Sequence, residues 1–198
     1  MHLKKFDFLG IREELNRKVI HLSCAVLPLT YQFYLSREQI IIFCSIISIL
    51  FLIIETLRFR HRKSNVLFLS IFSRLLRENE KNIHITGATY LFISATVTFI
   101  IFKKEIAIPA VLILTIADSL AAIVGKLTDS TLLFDKSLEG SLTFFITSLM
   151  ILVLLVPDLG FLIPIVALLV TLVEALPLPV NDNVLISIST GIILYIFI

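Results

Sequence analysis

Residues 106–124 read IAIPAVLILTIADSLAAIV, an apolar run broken by a single charged side chain, Asp118. A helix crossing a bilayer needs about 17 to 25 predominantly apolar residues, and this run has that length. A carboxylate inside it is costly in hydrocarbon, so Asp118 must face protein or a water-filled interior and needs a partner. Two readings are open. Asp118 either serves a function, or it is an acid neutralised by a nearby Lys or Arg that locks helix packing.

Outward from this run, comparable apolar stretches at 19–35, 39–57, 86–102, 140–156, 161–176 and 184–198 predict further spans. The chain has 198 residues, 58% of them hydrophobic and 16% charged, and its mean hydropathy is +1.01. That composition lies outside the range of a soluble domain. The expected fold is all-α: a polytopic membrane protein of about seven transmembrane helices. No Gly/Ser/Pro-rich linker divides it, so one integral membrane domain over 1–198 is expected. Residues 64–81 place Val66, Leu69, Phe72, Leu75 and Leu76 on one helical face and Arg74, Arg77 and Glu78 elsewhere, which predicts an interfacial helix. Residues 1–18 mix Phe8, Leu9, Ile11 and Leu15 with Arg12, Glu13 and Glu14 and predict an amphipathic entry segment; no small-residue cleavage site follows. Cys24 and Cys44 fall inside apolar runs and read as small buried side chains, not as a disulfide or metal pair.

Basic residues set the orientation. In the seven-span arrangement Lys4, Lys5, Arg12, Arg17, Lys18, Arg58, Arg60, Arg62, Lys63, Arg74, Arg77, Lys81, Lys126 and Lys136 fall on one side. Arg37, Lys103 and Lys104 fall on the other. The positive-inside rule then predicts a cytoplasmic N-terminus.

The polar residues within or beside apolar runs gather on that same cytoplasmic side. Arg17 and Lys18 open the first span and suit phosphate oxygens, Arg by its planar fork and Lys as a compact charge; topology alone also favours basic residues there. His21 lies one turn on. The third, fifth and seventh spans begin with Thr86-Gly87, Gly140-Ser141 and Asp182-Asn183. Free N–H groups and the positive end of a helix dipole favour phosphate at such starts, and ordinary N-capping uses the same residue types. Gly125-Lys126 closes the run that holds Asp118, and Lys136-Ser137 leads into Glu139-Gly140-Ser141. Asp118, Glu139, Glu174 and Asp182 are candidate oxygen ligands for one or two Mg²⁺ ions bridging to a polyphosphate. Glu139 has a second reading as a partner of Lys136, Asp182 as a helix cap, and Glu55 with Arg58 reads as an intrahelical pair ending the second span. There is no P-loop, no Gly-x-Gly-x-x-Gly, no Gly-x-Ser-x-Gly and no His/Cys metal cluster in the sequence. No nucleic-acid partner is expected.

The stretch ADSLAAIVGK at 117–126 followed by KSLEGS at 136–141 resembles the CTP-dependent lipid kinase family. That family includes dolichol, phytol and farnesol kinases and the fungal CTP-dependent diacylglycerol kinase, and is distantly similar to phosphatidate cytidylyltransferases. Glu14-x-x-Arg17-Lys18-x-x-His21, Thr86-Gly87-Ala88-Thr89-Tyr90, Glu174 and Asp182-Asn183 also match, so the likeness runs from Glu14 to Asn183. Many relatives carry a second Gly shortly after the Gly-Lys pair, where this chain reads Leu127-Thr128-Asp129.

The resemblance implies transfer of the terminal phosphate of CTP to the hydroxyl of a membrane lipid alcohol, a polyprenol or dolichol, a phytol-type isoprenoid or a diacylglycerol, with Mg²⁺ required. It implies Arg17, Lys18, Asp118 and Gly125 as essential positions. Arg17, Lys18 and Lys136 would then bind CTP phosphates together with Thr86, Gly87, Gly125, Lys126, Ser137, Gly140 and Ser141. Glu174 and Asp182 would help hold the metal, and Asp118 would either ligate it or accept the hydroxyl proton. Two other readings stand beside this one: CMP transfer to a lipid phosphate, which needs the same groups on the same face, and a small membrane transporter with Asp118 as an ion relay.

Overall fold

The computed structural model describes residues 8–78, 80–81, 84–128, 132–133 and 136–198. Lys4, Lys5 and most of the N-terminal part of the entry segment lie outside the described residues. Among the described residues the fold is all-α apart from two paired two-residue strands, and four helices are long and apolar enough to cross a bilayer: Arg37–Arg60, Lys104–Leu127, Leu138–Leu155 and Pro157–Ala175.

The chain shuttles between two ends of one bundle. Helices α1 (Phe8–Ser23) and α2 (Val26–Phe33) run one way, and α3 (Arg37–Arg60) returns. Helix α4 (Arg62–Phe72) and a 3-10 turn (Ser73–Leu75) follow at the first end, and α5 (Gly87–Ile101) recrosses. Then α6 (Lys104–Leu112) and α7 (Asp118–Leu127) form one rod through a π turn at Ile113–Ala117. Strands β1 (Leu132–Leu133) and β2 (Lys136–Ser137) pair antiparallel, with Leu132 opposite Ser137, before α8 (Leu138–Leu155). A 3-10 segment (Pro157–Leu162), α9 (Ile163–Ala175) and α10 (Asp182–Phe197) complete the chain. At the second end Arg37 Nη2 donates to the Ile100 carbonyl at 2.7 Å and Lys104 Nζ to the Gln32 carbonyl at 3.0 Å, tying the turns there.

The rod α6–α7 is the axis of the bundle, with α1, α2, α5, α8 and α10 packed on it and α3 held outside by α5. In lipid, helices associate through close packing and interhelical hydrogen bonds, not through exclusion of water. Accordingly Ala95, Ala107, Ala110, Ala117, Ala121 and Ala167 are buried and let backbones approach, while Ser48 and Thr96 join α3 to α5 at 3.0 Å. The outward side of α3 carries exposed Ile42, Phe43, Ile46, Leu50 and Ile53, which suits contact with acyl chains.

Most predicted runs coincide with observed helices, and two differ. The run 19–35 is not one helix: α1 starts far upstream and the chain breaks at Cys24, where the Cys24 and Ala25 N–H groups turn back to the His21 and Leu22 carbonyls. Pro28 explains the break, because it has no N–H to donate and its ring would strike the carbonyl four residues earlier, that of Cys24. The interfacial segment 64–81 is helical only as far as Leu75, with Leu76 already extended. No residue of α4 is buried.

Candidate active site

The π turn aims the central carboxylate. Pro109 inside α6 removes one helical donor, and the Asp118 N–H bonds the Ile113 carbonyl five residues back instead of four. One extra residue in a turn rotates everything that follows by about 100° about the helix axis. The rotation points Asp118 and Ser119 at α1. There Lys18 Nζ donates to Asp118 Oδ2 at 2.5 Å, with both side chains 7% exposed. Asp118 thus has the basic partner its position demanded.

His21, one turn beyond Lys18, joins three helices. Its Nε2 lies 3.0 Å from Asn183 Oδ1 on α10, and its Nδ1 lies 3.2 Å from Ser119 Oγ on α7. The Asn183 amide nitrogen donates to the Gly87 carbonyl at 2.8 Å, which turns its oxygen to His21 and makes Nε2 the protonated nitrogen. The Ser119 hydroxyl donates to the Thr115 carbonyl, 2.6 Å away, with its oxygen beside Nδ1.

The start of α5 is held by carboxylates of the chain itself. Glu55 Oε1 accepts the Thr86 N–H at 2.8 Å and the Thr89 hydroxyl at 3.2 Å, and Glu80 Oε1 accepts the Gly87 N–H at 3.1 Å. Arg58 pairs with Glu55 at 3.3 Å and donates to the carbonyls of Glu80 and His84 at 3.1 and 2.6 Å. The Thr86 and Gly87 amides, expected to meet a phosphate, are therefore engaged by protein anions, and Glu55 and Arg58 do more than pair along their own helix.

Lys136 forms a second junction. Its ammonium bridges Glu174 Oε1 at the end of α9 and Asp182 Oδ2 at the start of α10, at 2.9 and 3.0 Å. Burial would lower the Lys136 pKa, but the Glu174 and Asp182 carboxylates outweigh it and hold the group above the ordinary lysine value. Gly125 and Gly140 lie where α7 and α8 cross. A methyl group on Gly125 would stand 2.6 Å from Ser137 Oγ, and one on Gly140 would stand 3.0 Å from the Ala121 carbonyl. Ser137 caps α8 by accepting the Gly140 N–H at 3.0 Å, and Asn181, not Asp182, caps α10. Both glycines thus serve a close crossing. Arg17 pairs with Glu14, Lys126 is exposed at the end of α7, and Ser141 is buried in the first turn of α8.

A cavity of about 270 Å³ lies beside Lys18, and Arg17, Lys18, Thr86, Gly87, Asp118 and Asp182 all line it. Lys136 links Glu174 to this cavity through Asp182. Gly125, Ser137, Gly140 and Ser141 belong to the adjoining α7–α8 crossing, and Glu139 pairs with Lys136 in neither junction.

No family model matches the chain, and no solved structure matches it. The uncharacterized protein RP860 of Rickettsia prowazekii (strain Madrid E) is 31% identical over 198 residues, which cover 96% of this chain and 94% of the relative. The chain belongs to the RP860 family. Since the match spans nearly both chains, the whole bundle, and not one segment, is the unit this member shares with RP860.

A Mg²⁺ ion in this RP860 family member would draw on its acidic side chains. Among the described residues no three His, Cys, Asp or Glu groups stand together as a ready metal shell, because Asp118, Glu174 and Asp182 each face a lysine. Three buried carboxylate oxygens nevertheless find no hydrogen-bond partner among the described residues; Glu55 Oε2 faces Arg58 at 3.3 Å, which leaves Glu174 Oε2 and Glu139 Oε2. Such orphaned hard oxygens fit Mg²⁺, which takes one or two protein carboxylates and completes its shell with water and phosphate.

The sequence missed Glu80 entirely and undervalued Glu55. Glu55 carries the same signal that singled out Asp118, an ionisable group inside an apolar run. Glu80 sits in a polar loop and carries no such signal.

Proposed function

We propose that this protein is a CTP-dependent lipid kinase that transfers the terminal phosphate of CTP to the hydroxyl of a membrane lipid alcohol. The observation that carries the reading is the buried Lys18–Asp118 pair in the wall of a cavity that also holds Arg17 and Asp182. Cation and carboxylate together suit phosphoryl transfer, in which positioning and charge neutralisation supply most of the catalysis.

In this reading the chain crosses the membrane seven times: the α1–α2 pair, α3, α5, the α6–α7 rod, α8, α9 and α10. The shorter helices α5 and α10 complete the set. The N-terminus and the site face the cytoplasm, because Arg58 and Arg60 in the last turn of α3 and Arg62, Lys63, Arg74 and Arg77 after it lie at the site end while Arg37, Lys103 and Lys104 mark the other.

Arg17 and Lys18 bind phosphate oxygens, and Lys136 holds Glu174 and Asp182 in place at the edge of the site. Asp118 accepts the proton of the lipid hydroxyl as that oxygen bonds to the terminal phosphorus and CDP departs. Mg²⁺, held with the nucleotide by Glu174 and Asp182, would neutralise polyphosphate charge.

The test is transfer by the purified protein in lipid nanodiscs, with CTP labelled at either the terminal or the alpha phosphate and a panel of lipid alcohols. Label from the terminal phosphate should enter lipid and be lost in Asp118→Asn. With phosphatidate added as a second kind of acceptor, label from the alpha phosphate entering lipid would replace the kinase reading with CMP transfer, and no transfer from CTP to any alcohol or to phosphatidate would end both.

A further inference from the structure

The cavity beside Lys18 changes character along its depth. Three parts of its wall each contribute a polar residue at the site end and an apolar or weakly polar one deeper in the bundle: Arg17 on α1 with Cys24 just past that helix, Glu55 and Phe51 on α3, and Thr86, at the N-cap of α5, with Phe92 on α5. The separations are seven, four and six residues, which at about 1.5 Å per helical residue correspond to depths of about 6 to 10 Å, and the seven- and four-residue pairs also keep to one helical face. At the deep end the Phe51 and Phe92 rings meet with centroids 5.4 Å apart.

We infer that this deep half is the seat of the acceptor's hydrocarbon tail, with Phe51 and Phe92 as specificity-determining residues and the head hydroxyl at Lys18 and Asp118; the inference rests on the kinase reading. A wholly polar ligand would leave the Phe51–Phe92 end uncovered, and a wholly apolar one would strip water from Arg17 and Lys18 without replacing it. A long-chain alcohol meets both demands. The apolar residues of α4 that line the cavity, Phe68 and Phe72, meet at a tilt with ring centroids 5.0 Å apart and extend its greasy side.

The experiment uses the full-length protein in nanodiscs with a photoactivatable long-chain alcohol carrying its reactive group on the chain. Saturable labelling is expected on the peptides that hold Phe51 and Phe92, competed by unlabelled alcohol. Phe92→Ala should weaken binding by about tenfold, the loss expected from removing one buried aromatic contact. Phe51→Leu is a milder change that should shift chain-length preference without loss of fold, and Leu50→Ala, on the exposed face of α3, should change nothing. Labelling confined to the exposed face of α3 without competition, or unchanged affinity in both Phe variants, would overturn the tail subsite. Saturable labelling at Phe51 and Phe92 without phosphate transfer would support the subsite and remove the kinase reading.

Discussion

Glu55 Oε1 accepts the backbone N–H of Thr86 at 2.8 Å, so the first turn of α5 is capped by a carboxylate from α3. The same carboxylate group holds Arg58, which in turn fastens the Glu80–His84 loop. One buried acid therefore fixes the end of a helix, the loop before it and one wall of the cavity.

Replacing Glu55 by Ala strands the Thr86 N–H and removes an acidic partner of a buried guanidinium. Breaking a buried ion pair from one side costs about 3 to 5 kcal/mol. Glu55→Gln keeps an acceptor and should cost less. Thermal unfolding in detergent should rank wild type above Glu55→Gln and Glu55→Ala lowest; equal midpoints for the two variants would dismiss the capping role.

Lys18 and Asp118 are predicted to be strongly non-additive. Lys18→Met or Asp118→Leu alone leaves one buried charge uncompensated, again at about 3 to 5 kcal/mol, whereas the double variant removes both charges and should recover most of that loss. Activity should be absent in all three. A double variant as unstable as the sum of the singles would mean that the two residues do not act as a pair.

Gly125→Ala presses a methyl group against Ser137 Oγ and should cost about 1 to 3 kcal/mol through overpacking. Adding Ser137→Ala removes the obstructing atom at the expense of a helix cap worth about 1 kcal/mol. The double variant should therefore lose less than the two singles added together. Gly140→Ala meets the Ala121 backbone carbonyl as well and should not be rescued in this way. Denaturation midpoints of the five proteins test the scheme.

The Lys136 junction sets a pH dependence with a definite sign. The folded-state pKa is raised above the unfolded value, so the stabilisation is complete below the unfolded lysine value of about 10.4 and is lost as pH climbs through the higher folded one. The stability difference between wild type and Lys136→Gln should stay constant from about pH 7 to pH 9 and shrink only in strong alkali. A difference that falls away near neutrality would show that the ammonium is not held by Glu174 and Asp182.

Much of the site was legible because the expense of a charge in an apolar run is itself a signal. Asp118 and Glu174 were found that way, and each proved to have a lysine partner. Thr86 and Gly87 read as a phosphate cradle because helix starts attract anions; the chain supplies those anions from Glu55 and Glu80, which spacing along the sequence could not disclose. Gly125 and Gly140 stood as phosphate-binding positions implied by the resemblance, and in the fold their open sides face Ser137 and each other's helix.

By itself the sequence determined the apolar helices, their approximate ends and the unequal charge of the two ends of the bundle, because hydropathy and helical periodicity are properties of contiguous residues. Only the tertiary structure decided which charges meet. Lys18 and Asp118 are a hundred residues apart, and their contact depends on a π turn that rotates one side chain toward a helix packed beside it. Such a rotation comes from the summed packing of the bundle, which no local stretch of chain encodes.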